Sequence, residues 1–153
     1  MNRLKRIAPI VELAENKEKQ AVQAYGIGQR KLDEARNALN SLRSFRENYA
    51  ALFSQSGNKG LSVRQLNEYR AFLAKINVAI AEQERVVQTA EGELQAAKRA
   101  WEDAHSHTLG MQRVVEKLQT EEAKREQKRE QLEQDERAGR RGAGAKSLLT
   151  VFI

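Results

Sequence analysis

The sequence predicts an all-α fold: a long antiparallel two-helix coiled-coil hairpin with a C-terminal helical overhang. Three observations carry that prediction. Apolar residues recur at alternating steps of three and four from Leu4 to Phe53. A second such series runs from Leu66 to Leu118. Between them lies Ser54-Gln-Ser-Gly-Asn-Lys-Gly60, a stretch of turn chemistry. A 3.5-residue period lays a narrow stripe along one helix face, which supercoils against a partner helix.

The composition agrees with a stripe rather than a thick core. Of 153 residues, 31% are charged and 5% aromatic, with no Cys and one Pro. The start, Met1-Asn-Arg-Leu-Lys-Arg-Ile-Ala-Pro-Ile-Val-Glu, meets Glu12 and Glu15 before a signal-type apolar core forms. No apolar run reaches the roughly 20 residues that span a bilayer. A soluble, non-secreted helical rod is expected.

Helix 1, about 3–53, carries the series Leu4, Ile7, Val11, Ala14, Glu18, Ala21, Tyr25, Gly28, Leu32, Ala35, Leu39, Leu42, Arg46, Tyr49, Phe53. Only Glu18 and Arg46 interrupt it. At ~1.5 Å per residue this is a helix of about 75 Å. The loop is expected at 54–61. Ser62 and Gln65, three residues apart, then read as a capping box that opens helix 2, about 62–138. Its series is Leu66, Tyr69, Leu73, Ile76, Ile80, Gln83, Val87, Ala90, Leu94, Ala97, Trp101, Ala104, Thr108, Met111, Val115, Leu118, broken only by Gln83 and Thr108. Leu32, Leu39, Leu42, Leu73, Ile80, Val87, Leu94 and Trp101 are the expected coiled-coil core. Facing residue numbers should sum to about 115 or 122; both registers set large residues against small ones, and the sequence leaves them open.

Beyond Leu118 the seam stops. Glu121 to Arg137 is mostly charged, with Glu121→Arg125 and Glu133→Arg137 at i,i+4, so an unpartnered overhang of about 30 Å is expected. Gly139-Arg-Arg-Gly-Ala-Gly-Ala145 should end the helix, making 1–141 a single hairpin domain and 142–153 a flexible tail. Ser147-Leu-Leu-Thr-Val-Phe-Ile153 is abruptly apolar. It reads either as a tethered docking peptide or as an unconstrained terminus.

The net charge is +6, with +5 in residues 1–60, zero in 61–115 and +1 in 116–153. No basic run is interleaved with aromatics as single-strand nucleic-acid binders require. A solvated face of mixed sign is the simpler account, and nucleic acid is not expected as a partner. Catalysis needs groups converging in a concave pocket, which a two-helix rod does not offer. His105 and His107 point apart on a helix, so a shared metal is not expected and both read as solvated. No cofactor, small-molecule substrate or enzymatic activity is expected.

A two-helix hairpin needs only its seam, yet Ile10, Ala24, Ala38, Phe45 and Leu52 on helix 1 each precede a first seam position (a), as do Phe72, Ala79 and Val86 on helix 2. In an antiparallel pair these g positions share a flank. Phe45, Leu52, Phe72, Ala79 and Val86 should form a lateral apolar strip toward the loop. It reads either as a docking surface or as a widened seam covered by Lys and Arg stems.

The chain resembles the FliJ family, the small coiled-coil component of the bacterial flagellar type III export apparatus, over about residues 3–140. The resemblance rests on Leu-x-x-Ile-x-x-x-x-Glu-Leu-Ala-Glu from Leu4 to Glu15, Asn48-Tyr49, Glu68-Tyr69-x-x-Phe72, Ala79-Ile80 and Trp101. It implies a shape similar to the central stalk of rotary ATP synthases. It implies a protein that sits in the hexameric export ATPase (FliI-like), promotes ring assembly, links the ring to the export gate protein (FlhA-like) and escorts export chaperones. The implied location is cytoplasmic, peripherally associated with the inner-membrane export apparatus, in the service of motility. The resemblance places gate binding at Phe72, Ile76, Ala79 and Gln83, with Gln at a position where the family can carry His. Together with the charge pattern it directs Arg3, Lys5, Arg6, Arg125, Arg129 and Arg137 toward the ATPase ring. The equivalent stalk protein of a virulence-type injectisome has the same shape. A basic coiled coil binding RNA or ribosomes is the alternative of another class.

Overall fold

The computed structural model describes residues 2–151, with side chains through residue 142. Two helices, α1 (Arg3–Gly57) and α2 (Val63–Val151), pack against each other as a hairpin. Asn2 opens α1: its Oδ1 accepts from Leu4 N–H at 3.1 Å and its carbonyl from Lys5 N–H at 3.2 Å. The capping box at the start of α2 forms in both directions. Gln65 N–H donates to Ser62 Oγ at 3.2 Å, and Ser62 N–H donates to Gln65 Oε1 at 3.0 Å. Two donors that the first turn leaves without partners are thereby satisfied.

The helix ends differ from the expected ones. α1 runs one turn beyond 53, to Gly57, and the connection is 58–62 rather than 54–61. Ser54, Gln55 and Ser56 continue the helix because its last carbonyls are taken up by Asn58, Lys59 and Gly60 N–H groups at 3.0–3.3 Å. The reversal falls on Gly60, whose φ of +86° is a conformation that a side chain would strain. α2 continues through Gly139 and Gly142 to Val151, past the end expected at 138. Each glycine there costs about 1 kcal/mol relative to Ala, and the intervening Ala and Arg residues are good helix formers. The flexible tail expected at 142–153 thus falls on helix through Val151, while the side chains of the apolar stretch 147–153 lie outside the described residues.

The chain divides into two compact units, Asn16–His105 and Met1–Glu15 with Ser106–Ile153. In the first, Leu32, Ala35, Leu39, Ile76, Ile80, Val87 and Ala90 form one buried cluster. Leu42, Phe72, Leu73 and Leu94 pack against it, partly buried. In the second, Ala14 and Thr108 are buried. Every residue of the two heptad series is buried or half-buried, and nearly all others are exposed.

The structure also decides the register. A Cβ on Gly28 would stand 3.3 Å from Leu94 Cδ1, Phe53 stacks on Tyr69 at 3.7 Å, and Thr108 bonds to Ala14. All three pairs sum to 122. At Gly28 a large residue of α2 comes close to the α1 backbone, so the missing side chain is what admits Leu94.

Candidate functional site

The heptad gives each helix two flanks beside its seam. In an antiparallel pair, e positions face e and g positions face g. Toward the loop end of Asn16–His105 these two flanks have opposite chemistry.

The e flank is closed by polar bonds between the helices. Arg36 pairs with Glu91 at 3.4 Å, and Arg43 with Glu84 at 3.3 Å, one heptad along each helix. Arg46 donates to Asn77 Oδ1 at 3.0 Å. His105 Nδ1 lies 2.6 Å from Glu18 Oε1, with its ring stacked on Trp101 at 5.4 Å. His105 is therefore a half-buried member of a cross-helix pair and not the solvated residue that its spacing from His107 suggested.

The g flank is apolar. Phe45 is 54% exposed, Leu52 61% and Val86 49%, while Phe72 and Ala79 are half-buried. Phe45 meets Phe72 edge-on with ring centroids 5.6 Å apart. From Phe72 a continuous run of rings crosses the seam, through Tyr49 at 3.9 Å and Tyr69 at 5.6 Å to Phe53. Farther along this flank Val86, Ala35 and Ala90 floor a groove of about 540 Å³ edged by Lys31, Thr89 and Glu93. Stacked rings hold few rotamers, so this flank presents a rigid apolar surface.

The four residues that the resemblance assigned to the gate do not share one surface. Phe72 and Ala79 lie on the g flank. Ile76 is 7% exposed and belongs to the core cluster. Gln83 is half-buried, and its Nε2 donates to the Ala35 carbonyl at 3.1 Å. The side chain of Ile76 can act on this flank only by holding Phe72 and Ala79 in place.

In the other unit, Arg3, Arg125 and Arg129 line a groove of about 360 Å³ together with Leu4, Leu118 and Glu121. Asn2 Nδ2 donates across it to Glu122 Oε1 at 3.1 Å. Lys5, Arg6 and Arg137 are exposed but do not line this groove. From Glu122 to Gly142 every side chain is exposed. Among the described residues, neither Glu121–Arg125 nor Glu133–Arg137 closes to ion-pair distance, whereas Arg64–Glu68 does, at 3.3 Å. Exposed pairs of this kind gain too little to hold two long side chains in one geometry.

Sequence reasoning missed the partners of the polar seam residues. Each of the four that interrupt the series is bonded across the hairpin: Glu18 to His105, Arg46 to Asn77, Gln83 to the Ala35 carbonyl, and Thr108 to the Ala14 carbonyl at 3.3 Å. The interruption itself was the available signal, because a polar side chain at a seam position needs a partner.

Among the described residues, no group of His, Cys, Asp and Glu could hold a metal ion, and no helix is long and apolar enough to cross a membrane. The family model of the flagellar FliJ protein matches residues 3–147. No curated protein and no solved structure matches the chain.

Proposed function

The chain belongs to the flagellar FliJ protein family, and from that premise we propose that it is a stalk-like connector between the export ATPase and the export gate. The family is a non-catalytic component of the flagellar export apparatus. In our reading the charged terminal unit binds the hexameric FliI-like ATPase and promotes ring assembly. Arg3, Arg125 and Arg129 provide the main contacts, with Lys5, Arg6 and Arg137 beside them. The g flank of the other unit meets the FlhA-like gate through Phe72 and Ala79, with Phe45, Leu52 and Val86 extending the contact. Ile76 and Gln83 support that surface from the seam. Export chaperones are escorted on the same protein, which works in the cytoplasm at the inner-membrane apparatus.

The observation that carries this reading is the difference between the two units. One presents a mostly charged surface from Glu122 to Gly142, with Leu132 its single large apolar side chain. The other exposes Phe45, Leu52 and Val86 on a single flank. A connector needs two surfaces of unlike chemistry so that neither partner takes the other's place.

Co-purification with the cognate ATPase and gate protein tests the assignment. Arg125→Glu with Arg129→Glu should lose the ATPase and keep the gate, whereas Phe72→Glu should do the reverse. Loss of both partners from either variant, with helix content unchanged by circular dichroism, sinks the two-surface reading.

A further inference from the structure

Charge is distributed unevenly around the loop. Residues 43–75 hold six basic side chains, Arg43, Arg46, Lys59, Arg64, Arg70 and Lys75, against Glu47 and Glu68, a net of +4. The rest of α2 within this unit, 76–105, holds three basic and six acidic side chains, a net of −3. Glu68, which lies beside the apolar strip, pairs with Arg64 at 3.3 Å. Arg43 is likewise taken by Glu84. Among the described residues, no carboxylate comes within ion-pair distance of Lys59, Arg70 or Lys75.

One of these cations borders the exposed apolar side chains, and a second stands in the adjoining turn. Lys75 follows Phe72 by three residues and so lies on the same helix face. Lys59 sits in the turn just beyond the end of α1, past Leu52. Both are exposed. Arg70, at an e position, lies on the other flank. The loop end of the apolar strip thus carries a net positive charge, with Lys75 beside Phe72 and Lys59 in the turn both without internal partners, the complement of an acidic rim around an apolar patch.

We infer that the loop-side half of the g flank docks on an acidic protein surface, with apolar side chains of the partner seated against Phe45, Leu52 and Phe72 and its carboxylates meeting Lys59 and Lys75. The inference rests on the reading that this flank faces the export gate, and it specifies the chemistry of the gate's side of the contact.

The test uses the full chain and the purified cytoplasmic part of the cognate gate protein, with Kd measured at about 50 mM and about 300 mM NaCl, which brackets strong and weak screening. Wild type should bind about tenfold more weakly at the higher salt. Lys59→Glu with Lys75→Glu should weaken binding about tenfold at low salt and flatten the salt dependence. Phe72→Ala should weaken binding at both salts and leave the salt slope in place. Arg70→Glu carries the same charge change on the other flank and should cost less than threefold; a loss equal to that of Lys75→Glu overturns the placement. Salt-insensitive binding that the double reversal leaves unchanged overturns the inference alone and leaves the gate reading standing. No complex at either salt overturns the gate reading, and the inference falls with it.

Discussion

The two flanks of the seam within Asn16–His105 are built on the same pair of helices and differ in where their interactions are directed. On the e flank, Arg36, Arg43, Asn77 and His105 each bond to the facing helix. On the g flank, Phe45 and Phe72 also meet, yet Phe45, Leu52 and Val86 remain about half exposed or more. An exposed ion pair spends its specificity inside the hairpin and contributes little energy. An exposed apolar side chain keeps a solvation cost that only a partner can remove. The difference teaches that a coiled coil can assign one flank to internal alignment and the other to docking with no change in its heptad.

The seam beneath both flanks sets the energy scale. Ile80 is 5% exposed within the core cluster, so Ile80→Ala should cost about 2–4 kcal/mol through lost transfer energy and a cavity. Urea or thermal unfolding followed by circular dichroism measures it. Because Ile80 serves both flanks, gate binding and the alignment of the e-flank pairs should weaken together. Binding lost at unchanged stability would remove Ile80 from the seam.

Phe72→Ala tests the g flank alone. Its ring contacts Tyr49 and Phe45 and packs, partly buried, against the core. The expected loss is about 2 kcal/mol, below that of a fully buried Phe. Phe45→Ala, with 54% of its residue surface exposed, should cost less than about 1 kcal/mol and reduce gate binding all the same. Equal stability losses would mean that the strip is simply seam.

Much of this arrangement was legible before any coordinates. The 3.5-residue period named the residues that line the seam, from Leu4 to Phe53 and from Leu66 to Leu118, and the Ser62–Gln65 spacing named the cap. Helix ends were less legible. Ser54 and Gly57 carry turn chemistry, but whether they continue a helix depends on the bonds that Asn58 to Gly60 return to them. The register was ambiguous because a one-heptad slip preserves the large-against-small pattern, and only cross-helix contacts such as Leu94 on Gly28 and Phe53 on Tyr69 separate the two. The site was half legible. The g positions gave the strip, whereas the burial of Ile76 and the inward bond of Gln83 depend on the facing helix, which spacing along one chain does not show.

Gln83 lies at the border of the comparison, a seam residue whose amide donates to the Ala35 carbonyl at 3.1 Å. Gln83→Ala should cost about 1 kcal/mol, the net worth of a neutral hydrogen bond with some lost packing. Gln83→Leu keeps the volume and removes the polar group, so it should be close to neutral in stability. If Gln83 acts only as support, Gln83→Leu should also leave gate binding within about threefold of wild type. A larger loss at unchanged stability would make Gln83 a direct contact.

The smallest effect is expected on the e flank. Arg43 and Glu84 stand 3.3 Å apart with side chains 45% and 49% exposed, so water and salt screen most of their attraction. Arg43→Ala should cost no more than about 0.5 kcal/mol. A double-mutant cycle with Glu84→Ala should give a coupling of about 0.2–0.5 kcal/mol that fades in high salt. Gate binding should not change in either variant. What these pairs provide is a modest contribution to alignment: sliding the hairpin by a heptad to a sum of 115 brings Glu84 opposite Arg36 but leaves Arg43 opposite Asn77, so one of the two pairs is lost. Removing both pairs should therefore lower stability slightly. It should also shift the cross-linking pattern of cysteine pairs introduced at the seam from a sum of 122 toward a sum of 115. If that pattern stays at 122, the register is held by Gly28 and the polar seam residues instead, and the e flank is as dispensable to alignment as the g flank.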